Sequence, residues 1–107
     1  MARAYLILFI LLNGCGSVCN RIVAADEAAA RKGEACGAKT SNYNASTCNN
    51  NQNKCSTDDV HWLNTFADCL EKLPVCLEGQ GASWGLQRLA CSESLLKVSG
   101  TCLAAIQ

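Results

Sequence analysis

Apolar positions along the chain cluster in one uninterrupted run and two periodic blocks. The run is Tyr5–Leu12, eight residues without a charged side chain. As a helix it spans about 12 Å, far short of the roughly 30 Å hydrocarbon core of a bilayer. The first periodic block is Thr57–Leu73. Trp62, Phe66, Cys69 and Leu73 share one face, with Leu63 and Leu70 alongside, the spacing of an amphipathic helix. Ser56 or Thr57 can cap it, Asp58 and Asp59 fall in its first turn, and Pro74 ends it. The second block predicts a helix over roughly Trp84–Ser99, capped by Ser83 and stopped by Gly100. Trp84, Cys91, Leu95, Val98 and Cys102 form one stripe if the helical phase continues. Leu86, Leu89 and Leu96 form another on nearly the opposite side. Two stripes predict burial on both sides, against the 57–73 helix and the segment before it. The alternative is that the leucines form a partner surface.

Two further segments are not organised by large apolar residues. Val23–Lys32 is rich in strong helix formers, with Asp26 and Glu27 early, Arg31 and Lys32 late, and Gly33 as a stop. Its apolar side chains are alanines beyond Ile22 and Val23, so it reads as a solvated helical stalk. Lys32–Ser56 carries Asn42, Asn44, Asn49, Asn50, Asn51, Gln52 and Asn53, a composition of turns and loops. With little apolar area to bury, that stretch needs cross-links to become ordered.

Cysteine changes this picture most. Nine in 107 residues is the density at which small domains replace missing core with disulfides, and it favours an oxidising compartment. The expected fold is therefore mainly α: a small disulfide-rich domain with a two-helix hairpin and an irregular Asn-rich loop lobe. Among possible pairings, Cys69 with Cys91 would join the two helix faces. Cys36 with Cys48 or Cys55 would close the middle lobe, and Cys76 and Cys102 would staple a loop and a tail back onto the helices. The run Gly33-Glu34-Ala35-Cys36, then Cys48 and Cys55 after six residues, resembles fragments of small bacterial and extracellular cysteine-rich modules.

The amino-terminal stretch supplies an address. Arg3 before Tyr5–Leu12 has the pattern of a secretory signal. Leu12-Asn13-Gly14-Cys15 then resembles the lipobox of bacterial lipoproteins, departing from it at Asn13. The resemblance implies that the Cys15 thiol is acylated with diacylglycerol, that the chain is cut before it, and that the new amino group is acylated. It also implies, through Gly16, the outer membrane of the cell envelope. Parity agrees with it. Without Cys15, eight cysteines remain (Cys19, Cys36, Cys48, Cys55, Cys69, Cys76, Cys91 and Cys102), enough for four disulfides. Cys19, close to the anchor, is the expected odd one if any is unpaired. The expected organisation is a signal peptide over 1–14, a lipidated terminus and stalk over 15–33, and a stapled domain over 34–107. The competing expectation is a secreted binding protein cut after Ala25, at Val23-Ala24-Ala25, which would leave seven cysteines.

Catalytic and ligand chemistry is not evident. His61 is the one histidine, with Asp58 three residues before it. It has no accompanying nucleophile turn such as G-x-S-x-G and reads as a surface residue. Asp58 and Asp59 read as a helix start rather than as an acid pair. Zinc-type C-x2–4-C pairs are limited to Cys15 and Cys19, and C-x-x-C is absent. The spacings also miss the twin C-x9-C pattern of helical hairpin proteins. Trp62, Phe66 and Trp84 read as core. Asn44-Ala45-Ser46 is a glycosylation sequon if the chain meets eukaryotic export. Nine basic and nine acidic residues leave no electrostatic footprint for nucleic acid. The expectation is a non-enzymatic exported protein without metal or cofactor, whose partner is a membrane reached through lipid on Cys15.

Overall fold

Among the described residues, helix formers separated by turn residues fold into five α-helices joined by short 3-10 turns. The computed structural model describes residues 17–41 and 43–107. The helices are α1 (Ser17–Lys32), α2 (Ala45–Asn51), α3 (Thr57–Glu71), α4 (Gly81–Cys91) and α5 (Gly100–Ile106). The 3-10 segments are Glu34–Cys36, Gln52–Lys54 and Ser92–Lys97. The domain is mainly helical, and the described residues contain no strand.

α3 is the central element, and it starts as its sequence dictates. The Ser56 Oγ accepts from the Asp59 N–H at 3.1 Å, and the Asp59 carboxylate accepts from the Ser56 N–H at 3.0 Å, a reciprocal capping box. Its Leu63, Phe66, Ala67 and Leu70, followed by Leu73, enter the core, while Trp62 and Cys69 stay half-buried at the edge.

The solvated stalk is corrected. α1 buries Val18, Cys19, Ile22, Ala25, Asp26 and Ala29 along one face, at the i, i+3, i+4 spacing of a packed helix. Small alanines bring the α1 backbone close to its neighbours, so few large side chains were needed. Lys32 donates from Nζ to the Glu71 carbonyl at 2.6 Å, and the Cys76 N–H donates to the Lys32 carbonyl at 2.7 Å. At Gly33 a Cβ would lie 2.4 Å from the Trp84 ring; glycine is what allows that indole to close over the end of α1.

The long second helix is also corrected. α4 begins at Gly81, two residues before the expected cap Ser83, and the N-cap Gln80 makes no side-chain capping bond. After Cys91 the backbone tightens to 3-10 geometry, then breaks at Val98 into an extended conformation. Ser99 caps α5, accepting from the Cys102 N–H at 3.2 Å. Trp84, Cys91, Val98 and Cys102 are buried as that stripe predicts, but the leucine stripe is not covered. Leu86, Leu89 and Leu96 are 68%, 65% and 85% exposed.

The Asn-rich segment is more ordered than expected. Asn44 caps α2, its Oδ1 accepting from the Thr47 N–H at 3.0 Å, and Cys48 is the buried residue of that helix. Cross-linking is what holds it. The disulfides are Cys19–Cys48, Cys36–Cys76, Cys55–Cys102 and Cys69–Cys91. Cys69–Cys91 joins the hairpin faces as their periodicity indicates. Cys19 is paired rather than odd. Cys36 bridges to Cys76, not to Cys48 or Cys55, because the two lobe cysteines are spent fastening the lobe outward to α1 and α5.

Candidate functional site

Cys15, the sequence-predicted lipidation residue, lies outside the described residues, as do 1–14. What the structure describes is the point where the domain would receive an anchor: the amino end of α1. One residue, Gly16, stands between Cys15 and Ser17. In the first turn Val18 is buried and Cys19 is 1% exposed. The Cys19–Cys48 bridge holds α1 to α2 with alpha carbons 5.6 Å apart, and the Asn49 amide donates to the Asn20 side-chain oxygen at 3.2 Å. One turn on, Arg21 donates to Asn64 at 3.0 Å, to the Glu71 carboxylate at 2.8 Å, and to Asp68. Its hydrogen bonds to Glu71, then to Asp68, hold the guanidinium pKa above its ordinary value. The amino end of α1 is thus a fixed part of the domain.

A second polar cluster ties the opposite flank of α1 to the loop before α2. The buried Asp26 carboxylate accepts from Arg88 of α4 at 3.0 Å and from the Ser41 N–H at 2.7 Å. Tyr43 stands nearby, its hydroxyl pKa raised first by burial and then by the Asp26 charge. Sequence reading missed this cluster. The available signal was an arginine four residues after Trp84, on the core-facing side of α4. An aspartate inside an alanine stripe is the second half of that signal.

Along the seam between α3 and α4, two open clefts of about 260 and 530 Å³ share Thr65, Cys69 and Ala90. Cys69 lines both, and its disulfide partner Cys91 lines the smaller. Glu93 and Lys97 stand at one end, Asp68 and Lys72 at the other, so neither end has a single sign of charge. The Lys97 ammonium lies 4.1 Å from the Trp62 ring centroid, and the His61 ring packs edge-on against the same indole at 4.8 Å. His61 and Asp58 are both exposed. Among the described residues no three or more His, Cys, Asp or Glu side chains converge as a metal-holding group. Also among them, no helix is long and apolar enough to cross a membrane.

The eight cysteines of the scaffold all sit where they meet a partner, and four disulfides place the domain in an extracellular or envelope setting. Comparison with protein-family models, curated proteins and solved structures returned no match to this chain.

Proposed function

We propose that the chain is a non-enzymatic exported lipoprotein. Acyl chains on Cys15 hold it to the bacterial cell envelope, at the outer membrane, where its helical domain serves as an accessory, adaptor or structural module. The observation that carries this reading is the pairing. Cys19 to Cys102 consume one another, so the scaffold draws on no ninth cysteine, and the ninth stands at the end of Leu12-Asn13-Gly14-Cys15. Two or more acyl chains suffice for stable attachment, each buried methylene adding about 0.8 kcal/mol.

The packing of α1 weighs against the competing secreted form. A cut after Ala25 would strip Val18, Cys19, Ile22 and Ala25 from the core and leave Cys48 without its partner. A cut before Cys15 leaves in place every core residue among those described. Growth with radiolabelled fatty acid tests the reading. The wild-type protein incorporates label and Cys15→Ala does not. Label that persists in the variant, or that never appears in the wild type, contradicts it.

A further inference from the structure

With α1 packed in the core, the anchor has no stalk. Cys15 and Ser17 are two residues apart, at most about 7 Å along the chain. A lipid on Cys15 therefore brings whatever surrounds the amino end of α1 directly against the bilayer. That surrounding surface is α2 with Gln52–Lys54, bonded to α1 through Cys19–Cys48. α5 extends it, fastened through Cys55–Cys102. Over 43–57 and 98–107, which build this tip, Lys54 is the one charged side chain. All nine acids of the chain fall outside those two segments in sequence; the Asp59 carboxylate reaches between them but is buried and bonded to Ser56 and Ser99. Asn50, Asn53, Lys54, Thr101 and Ala104 are exposed. Between α2 and α5 opens a cleft of about 270 Å³ lined by Thr47, Asn51, Lys54, Thr101, Ala104 and Ala105. Its polar groups are two hydroxyls, an amide and one ammonium.

We infer that this tip is the face that lies on the bilayer, and that its occupant is the phospholipid headgroup layer. The inference rests on the Cys15 anchor. Hydroxyl and amide donors with a single cation and no carboxylate suit phosphodiester oxygens. A surface poor in acid can approach an anionic leaflet that repels the rest of the molecule. Leu86 and Leu89, exposed on α4, are the rival contact, and they start at the wrong end. Trp84 closes over Gly33 at the carboxyl end of α1, and Arg88 meets Asp26, about 13 Å along α1 from Ser17. Leu86 and Leu89 project from that same stretch of α4, roughly 140–160° round the helix from Trp84, away from the core.

Hydrogen–deuterium exchange separates the possibilities. Lipidated protein in phosphatidylglycerol–phosphatidylethanolamine vesicles is compared with soluble Cys15→Ser protein, after intact mass has established acyl groups in the vesicle sample. The expected result is slowed exchange over Ala45–Lys54 and Gly100–Ile106, with no change over Gly81–Lys97. In Lys54→Glu that slowing falls by at least about fivefold, the factor that loss of one lysine near an anionic surface alone would give; in Leu89→Glu it persists. Protection over Gly81–Lys97 instead, no protection anywhere, or indifference to Lys54→Glu overturns the inference while leaving the anchor standing. Protection of the soluble protein by inorganic phosphate alone overturns it too. A mass without acyl groups overturns the anchor, and this inference with it.

Discussion

Asp59 joins the starts of two helices. It completes the capping box of α3 and also accepts from the Ser99 N–H at 2.8 Å and the Ser99 hydroxyl at 2.9 Å, at the start of α5. Those bonds, the backbone ones from Ser99 and Ser56 first, hold its pKa below the ordinary carboxylate value. A depressed folded-state pKa contributes stability above the unfolded value of about 3.9, and that stability is lost as pH falls through the folded value. Asp59→Asn should therefore be less stable than wild type in urea at pH 6, with the gap closing at acid pH. A gap independent of pH would contradict the assignment. Asp26 and Arg88 present the other residue-scale case. Arg88→Met leaves a buried carboxylate with the Ser41 N–H alone. Because Arg88 is partly exposed, the loss should be about 2–3 kcal/mol, below that of a fully buried pair, read as a shift in urea midpoint. Periodicity could place Arg88 on the core side of α4. It could not supply Asp26, 62 residues earlier, because nothing local records a contact of that range.

At the scale of elements, α3 was legible except that it ends at Glu71, two residues before the expected Leu73, with Trp62 at the edge of the core, because cap, apolar face and stop all lie within one stretch of sequence. α1 was legible as a helix but not as core. Beyond Ile22 its buried residues are Ala25, Asp26 and Ala29, and alanine says little about burial because it also favours exposed helix. The test is direct: Ile22→Ala should cost about 2–4 kcal/mol in a denaturant titration, whereas a solvated stalk would lose almost nothing. Gly33→Ala, which forces a methyl into the Trp84 ring, should cost about 1–3 kcal/mol. The α4 leucines behave in the opposite sense. Leu89→Glu should stay within about 0.5 kcal/mol of wild type, because 65% of that residue is already in water. The break after Cys91 was not legible. Leu95 and Val98 keep a helical phase on paper, but the Cys69–Cys91 and Cys55–Cys102 bridges and the Ser99 cap on Asp59 set the path of the chain there.

Across the whole molecule the four disulfides close loops of 22 to 47 residues, each between different segments, so each of the five described α-helices is cross-linked to another part of the chain. Replacing Cys19 and Cys48 together by alanine should cost about 2–4 kcal/mol and release the Asn-rich lobe first, as lost exchange protection over Ala45–Asn51. The even closure of this scaffold is also what isolates Cys15. Intact mass of the native protein, taken before and after reduction, tests that claim most directly. The account predicts a chain beginning at Cys15, heavier than its sequence by acyl and glyceryl groups, that gains two hydrogens for each of four disulfides on reduction. A chain beginning at Asp26, or one beginning at Cys15 without added lipid, would contradict it.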